Sequence, residues 1–188
     1  MWKGDLLKKE CTQLRHRIIV SVRRLSTPIG SKSAFVVSLE DAMASRDHFE
    51  RLRDAEIAYN ASIGEWQAIL KEMSENRSDP IIRWKLANGI SKFESRLSSK
   101  WNLQIENLIV ALSEEFSIST SSINYMLRFR ERFSLKEVKS YHLGWSIFQE
   151  VLDIKDEEAM RKCLKLIKSD RIEGRKQIRE FKQKVNRG

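Results

Sequence analysis

Glycine and proline are scarce in this chain. Only 7 Gly and 2 Pro occur among its 188 residues, which is few for a sheet protein that must make many tight turns. Residues that favour helices, such as Ala, Leu, Glu, Lys and Arg, are common instead. The composition therefore predicts an all-α protein.

Long apolar runs are absent as well. A membrane-spanning helix needs about 20 consecutive apolar residues, so we expect no membrane partner. The first residues are charged and lack the apolar stretch of a secretory signal, which predicts a cytoplasmic protein. The only two cysteines, Cys11 and Cys163, lie on apolar stripes of predicted helices. A reducing compartment favours two buried thiols over a disulfide.

Residue patterns that carry catalysis are also missing. The three histidines are far apart in the chain and none has a metal-ligand spacing with Cys or a carboxylate: His16, His48 and His142. No glycine-rich phosphate loop occurs. Two Glu-x-Lys triplets, at residues 137–139 and 180–182, match part of a nuclease motif, but both fall in predicted helices. We therefore expect no enzyme activity, no metal site and no cofactor.

The charge is strongly positive and unevenly spread. The formal net charge is +9, with seven bases against two acids in residues 1–26 and twelve against six in residues 155–188. Residues 39–75 reverse this balance, with nine acids against four bases. A basic protein of this kind suits a polyanion partner such as nucleic acid. Solvated helix faces are the alternative explanation.

Apolar spacing predicts a first amphipathic helix over residues 5–26, ended by Thr27-Pro28-Ile29-Gly30. Its apolar residues recur every three or four positions: Leu7, Cys11, Leu14, Ile18, Val22 and Leu25. The following segment, residues 33–37, is β-branched but short, and we expect a loop or the lead-in to a helix.

A second helix is predicted over residues 39–74, with a heptad-like apolar seam interrupted at Glu56. The seam and its flanking residues are Leu52, Tyr59, Trp66 and Met73 with Phe49, Ile63 and Leu70. Its partner is either the first helix of the same chain or the same helix of a second subunit. Residues 1–76 are therefore expected to form a helical hairpin that could mediate a homodimer.

Residues 76–80 form the predicted boundary to a second helical domain, residues 80–188. Asp79 is expected to cap a helix that starts at Pro80. Further helices are predicted from a capping box at Ser134 and Glu137 and from a cap at Asp156, with a last basic helix over about residues 173–184.

The segment 109–128, IVALSEEFSISTSSINYMLR, has the pattern of a DNA-binding helix-turn-helix. Its predicted inner residues are Leu112, Phe116, Ile118, Ile123 and Met126 or Leu127. Ser117 stands where the turn needs a permissive, left-handed residue, and Ser119 can cap the second helix. The alternative is two consecutive core helices joined by a short loop.

The outward residues of the second helix are of the types that bind base edges and phosphates, and nearby cations could add phosphate contacts. The predicted DNA-binding residues are Ser119, Thr120, Ser121, Asn124, Tyr125, Arg128, Arg132, Lys136, Arg175, Lys176 and Arg179. The last three belong to the basic C-terminal helix, which could equally be a solvated tail.

Three segments together resemble a known helical module: WKLANGI, LIVALSEEFSISTSSINYMLRFRERF and LGWSIFQEVLDIKDEEAMRKCLKLI. Their order is similar to the N-terminal domain of YhcG-type nucleases and to the central DNA-binding domain of ParB/KorB partition proteins. The resemblance covers residues 84–175, with no nuclease domain and no nucleotide-binding box. It implies DNA binding by residues 120–128, without cleavage or CTP hydrolysis.

The sequence thus predicts a sequence-specific, nucleoid-associated, double-stranded DNA-binding protein that acts in transcription or plasmid partition, without a cofactor. A dimer would read a palindromic or repeated site. A protein-interaction adaptor, in which the helix-turn-helix is purely structural, is the alternative of a different class. RNA binding is a weaker third, because aromatic stacking platforms are lacking.

Overall fold

The computed structural model describes residues 17–27, 30–38 and 46–185. Within these ranges the chain is mainly helical, as predicted, but it also contains a small three-stranded sheet, so the prediction of an all-α protein is confirmed only in part. The strands are β1 Ile18–Thr27, β2 Gly30–Val36 and β3 Leu103–Ile105. The helices are α1 Arg46–Glu75, α2 Pro80–Arg96, α3 Leu108–Phe116, α4 Thr120–Arg132, α5 Leu135–Tyr141, α6 Trp145–Leu152, α7 Glu157–Lys168 and α8 Arg175–Val185.

The sheet replaces the second half of the first predicted helix. β1 pairs with β2 in antiparallel fashion and with β3 in parallel fashion. Ile18, Val20 and Val22 are buried while Ile19 is 52% exposed, which is the alternation of a strand. The helical prediction was therefore wrong over residues 18–26, because β-branched residues at alternate positions also happened to match helical spacing. Residues 1–16 lie outside the described ranges.

The segment 33–37 belongs largely to β2 and is neither a loop nor a helix lead-in, which corrects that prediction too. Two side chains of α1 cover the outer edge of this strand. Glu56 accepts a hydrogen bond from the Phe35 backbone N–H (2.8 Å), and Asn60 donates to the Ser33 carbonyl (3.1 Å). An unpaired strand edge needs such cover. This contact explains why a glutamate interrupts the apolar seam of α1.

Leu52, Tyr59 and Trp66 of the α1 seam are buried within the same chain, but against partners other than the predicted first helix, while the flanking residue Phe49 is 61% exposed. Tyr59 packs between Phe35 and Phe93, with ring centroids 5.7 Å from each. Trp66 contacts Phe93 and Phe116 edge-on. α1 therefore packs on α2, the sheet and α3, and these seam residues are already used inside one chain. Residues 39–45, which were predicted to begin this helix, lie outside the described ranges.

Several predicted helix starts are confirmed. The Asp79 carboxylate accepts from the Ile81 N–H (2.7 Å) ahead of Pro80. Ser134 forms a capping box with Glu137, and Asp156 caps α7. These side chains accept hydrogen bonds from N–H groups that have no partner within the helix. Buried residues of the two predicted halves belong to one continuous cluster, from Ile18 to Ile178.

Between α2 and α3 the chain makes a π-helical turn, Leu97–Trp101, and then β3. Asn107, just before α3, continues the parallel ladder beyond β3 with its side-chain amide. The amide accepts from the Val22 N–H (2.8 Å) and donates to the Val22 carbonyl (3.0 Å). The sheet thereby fixes the start of α3. Among the described helices, none combines the length and apolarity needed to cross a membrane.

Gly89 on α2 is expected to be essential for the packing of α1. A Cβ added there would lie 2.7 Å from Nε1 of Trp66, a side chain that is 2% exposed. Because a buried indole cannot easily move, we expect Gly89→Ala to lower the free energy of unfolding by about 1–3 kcal/mol. Urea denaturation would measure the change.

Gly64 on α1 provides the matched control, because a Cβ there would meet nothing within 4 Å. Gly64→Ala should raise the free energy of unfolding by about 0.5–1 kcal/mol through helix propensity alone. If both substitutions changed the free energy of unfolding by the same amount, the result would contradict the close approach of α2 to Trp66.

Candidate nucleic-acid interface

α3 and α4 are joined by a tight turn of three residues, Ser117 to Ser119. Ser117 adopts the left-handed conformation (φ 53°, ψ 38°) that the sequence required of it, and its N–H donates to the Ser113 carbonyl. Ser119 caps α4 by accepting from the Ser122 N–H (3.2 Å). The side chain of Ile118 between them is half-buried against the core. A left-handed non-glycine residue costs about 1–2 kcal/mol, which this packing offsets.

α4 has two chemically distinct faces. Its inward face carries three buried apolar side chains: Ile123, Met126 and Phe129. Its outward face is exposed and polar, with Ser119, Thr120, Ser121, Asn124 and Arg128. Within the described part of the chain, the side chains of Thr120, Ser121 and Asn124 make no hydrogen bond or ion pair. These donors and acceptors are free to bind an external ligand.

Tyr125 and Arg128 stand at the side of this face and contact the end of α6. The Tyr125 hydroxyl donates to Asp153 Oδ1 (2.5 Å), and this hydrogen bond raises the pKa of the tyrosine above its ordinary value. The Arg128 guanidinium lies 5.0 Å from the centroid of the Tyr125 ring and donates to the Leu152 carbonyl (2.9 Å). Tyr125 therefore positions Arg128 while leaving that arginine largely exposed.

Arg132 has a structural role in this fold. It donates to the carbonyls of Leu152 and Ile154, at 3.2 and 3.0 Å, which are among the acceptors left open where α6 ends. Arg161 of α7 makes a related contact, donating to the Arg132 carbonyl (3.0 Å) and to Glu137 (2.7 Å). Arg132 is thus committed to the junction of α4, α6 and α7.

The basic helix α8 docks on α6 through a buried carboxylate. Glu150, 6% exposed, accepts from both Arg175 and Arg179 on Oε1. Hydrogen bonds from Arg179 and then Arg175 outweigh the cost of burial and lower the pKa of Glu150 from 4.5 to about 2. Ile178, between the two arginines, is fully buried. Both arginine side chains remain about half exposed.

α8 also connects to the outward side of α4 through Asp153. The carboxylate that receives the Tyr125 hydroxyl also pairs with Lys182 of α8 (3.4 Å). Lys136 of α5 and Lys176 of α8 are exposed, and neither has a hydrogen bond or ion pair among the described residues. The predicted binding residues on α4 and α8 therefore lie on neighbouring elements.

Sequence reasoning missed Glu150, Asp153 and Lys182. A signal was present in α8, where Arg175, Arg179 and Lys182 recur at four- and three-residue spacing beside Ile178. Cations that border an apolar stripe in this way can pair with carboxylates on the surface against which the helix docks. Which carboxylates would meet them depended on the path of the chain between α6 and α8.

Two other predictions concern reactive groups. Cys163 is a free, fully buried thiol, as predicted, and burial raises its pKa to about 11. Such a thiol stays protonated and unreactive at neutral pH. Cys11 lies outside the described residues. The described ranges contain no group of three or more His, Cys, Asp or Glu side chains that could hold a metal ion.

Comparison with family models, curated proteins and solved structures found no match to this chain.

Glu150 should contribute stability that disappears when its carboxylate is lost. Glu150→Gln removes two charged hydrogen-bonded pairs and should lower the free energy of unfolding at neutral pH by about 2 kcal/mol. Glu158→Gln on α7 is the control, because that side chain is exposed. Equal stability of the two variants in urea would contradict the docking role of Glu150.

The ion pairs of Glu150 predict that the stability it contributes depends on pH. The folded-state pKa of Glu150 is lowered to about 2 from 4.5, so its stabilisation is complete above about pH 4.5 and is lost as pH falls toward 2. The difference in unfolding free energy between wild type and Glu150→Gln should therefore shrink over this window. A difference that stayed constant down to the acid limit would contradict the lowered pKa.

Proposed function

We propose that this chain binds double-stranded DNA and that α3 and α4 act as a helix-turn-helix, with α4 in the major groove. The observation that carries the proposal is the outward face of α4. It is polar and exposed, and it is held at a fixed angle by the buried residues on the opposite side. Asn and Arg side chains on such a face can make paired hydrogen bonds to adenine and guanine edges.

The side-chain contacts refine the role of each predicted residue. Asn124 is the best candidate for a base contact, because its amide is exposed and unengaged among the described residues. Ser119, Thr120 and Ser121 lie at the start of α4 and suit phosphate oxygens. Arg128, positioned by Tyr125, would bind a base or phosphate at the other end of the face.

Basic residues beside this face would supply affinity independent of sequence. Lys136 and Lys176 are unpaired among the described residues, whereas Arg175 and Arg179 share one carboxylate and stay half exposed. The exposed parts of these four cations would attract the phosphate backbone. Arg132 is not included in the proposal, because it is half-buried and its Nη1 donates to both the Leu152 and the Ile154 carbonyl, whereas Arg128 is exposed.

The resemblance to the helical domains of YhcG-type nucleases and ParB/KorB partition proteins is compatible with this function. A role in transcription or partition, and a location on the nucleoid, remain proposals on that basis. A homodimer on a repeated site would suit a helix-turn-helix. It would have to use a surface other than the seam of α1, since Tyr59 and Trp66 are buried within the chain.

A second candidate, a protein-interaction adaptor, is favoured by a different observation. Exposed apolar side chains occur on the outer face of the sheet and on α1: Ile19, Leu25, Val36, Phe49 and Ile57. Exposed apolar groups of this number suit a protein partner. The adaptor hypothesis expects a discrete complex with another protein and no complex with duplex DNA.

Asn124→Ala should reduce affinity for a selected duplex by about tenfold or more, because a paired contact to a base edge is lost. Binding to unrelated duplexes should change little, since phosphate contacts remain. Fluorescence anisotropy with both duplexes would measure the two effects. The helical circular dichroism should be unchanged, because the side chain is exposed and makes no hydrogen bond or ion pair among the described residues.

Lys92→Ala is the control, since it removes an exposed cation from α2 beside Glu65 of α1. Its affinity for the selected duplex should stay close to that of the wild type. If Asn124→Ala and Lys92→Ala behaved alike on both duplexes, the assignment of α4 as the base-reading helix would be wrong.

A further inference from the structure

A small cavity opens beside the first turn of α4. The DNA contacts proposed above do not use it. Its volume is about 140 Å³. Its polar side chains come from three helices, Arg83 of α2, Ser122 of α4 and Gln149 of α6. Its apolar walls are Met73, Ile118, Met126 and Trp145. The cavity therefore combines one cation with two neutral hydrogen-bonding groups.

Arg83 retains unused hydrogen-bonding capacity in this cavity. A guanidinium has five N–H donors, and within the described residues Arg83 makes one side-chain hydrogen bond, to the Asp79 carbonyl (2.9 Å). Its Cζ lies 5.1 Å from the centroid of the Trp145 ring, a contact that engages the face of the indole and no N–H group. Several donors are thus available to an acceptor in the cavity.

The charge balance of the cavity favours an anion. Arg83 is half-buried, and its burial lowers the pKa of the guanidinium without removing its charge. The carboxylate of Asp79, which interacts electrostatically with Arg83, is engaged in capping α2. Among the described residues, no Asp or Glu side chain lines the cavity. A partly dehydrated cation gains more from a fixed anionic partner than a solvated one does.

We infer that this cavity binds one phosphate group of the DNA backbone, with Arg83 as its principal ligand and the Ser122 hydroxyl and Gln149 amide as secondary donors. The inference rests on the proposed DNA-binding function. Ser122 lies one residue beyond Ser121 on the first turn of α4, so the cavity opens at the flank of the proposed base-reading face. A phosphate held there would fix the position of α4 along the groove.

The first test compares Arg83→Gln with Lys85→Gln, which removes an exposed cation two residues away on α2. A lost phosphate contact should reduce the slope of log affinity against log salt by about 0.9. Arg83→Gln should show this reduction on all duplexes alike, with affinity about tenfold lower at low salt. Arg83→Lys should restore the slope while recovering only part of the affinity. Lys85→Gln should leave the slope unchanged.

Ser122→Asp keeps the test decisive if Arg83→Gln unfolds the protein. A carboxylate on the first turn of α4 suits the helix N-terminus and could pair with Arg83, so thermal stability should be retained or raised. The same carboxylate would repel a phosphate, and DNA affinity should fall. Ser95→Asp makes the same change of charge about 18 Å further along α2 than Arg83, and should not weaken DNA binding.

The outcomes separate this inference from the function on which it rests. If wild-type protein binds no duplex, the proposed function fails. If wild type binds but Arg83→Gln and Ser122→Asp retain its salt slope and affinity, the phosphate cavity alone is wrong. Inorganic phosphate at constant ionic strength gives a third comparison. The contrary outcome is that free phosphate raises the thermal stability of the wild type but not of Arg83→Gln, while Arg83→Gln keeps the wild-type slope of log DNA affinity against log salt. That result would assign the cavity to a free anion and overturn the inference.

Discussion

The packing of Phe129 is the contact on which the arrangement of the C-terminal helices depends. Its ring is fully buried and lies 4.8 to 5.5 Å from the ring centroids of Phe148, Trp145 and Phe133. Phe129 and Phe133 lie at the end of α4 while the other two rings belong to α6, so this cluster fixes one helix against the other. Tilted and edge-on ring contacts favour a single geometry. That geometry decides which side of α4 faces solvent.

Polar contacts also hold α4 and α8 against α6. Arg132 and Arg128 donate to carbonyls at the end of α6, and Glu150 draws α8 onto the same helix. Buried charged groups of this kind contribute chiefly when every partner is present. The result is a helix with an exposed polar face, bordered by a basic helix whose own position is fixed by carboxylates. This arrangement is what the proposed DNA contact requires.

Helix ends and the inner face of α4 could be predicted from sequence because their causes are local. Ser119, Ser134 and Asp156 cap helices through groups three residues away, and Ser117 adopts the left-handed conformation that a three-residue turn demands. The strands could not be predicted in the same way. β1 pairs with β3 across more than 80 residues of chain, so its pairing has no local sequence signal.

The predicted DNA-binding residues also divide into those whose environment has local causes and those whose partners are distant in the chain. Exposure of Asn124 follows from helical periodicity, and that prediction held. The partners of Arg128, Arg132, Arg175 and Arg179 are carboxylates and carbonyls on α6, which sequence spacing does not specify. All four arginines have internal acceptors, but only Arg132 is half-buried, whereas Arg128, Arg175 and Arg179 stay exposed. Arg83 could not be predicted as a phosphate ligand from the sequence, because its cavity forms only when α2, α4 and α6 meet.

Equilibrium binding of the full chain to a pool of random duplexes, with selection of the bound sequences, is the decisive experiment for DNA binding by α4. We expect a complex whose log affinity falls linearly with log salt, because counterions are released from phosphates. We also expect enrichment of a defined sequence, because α4 would present base-reading side chains. Absence of a complex at low salt would contradict DNA binding by this chain. Binding without any enriched sequence would contradict base recognition by α4.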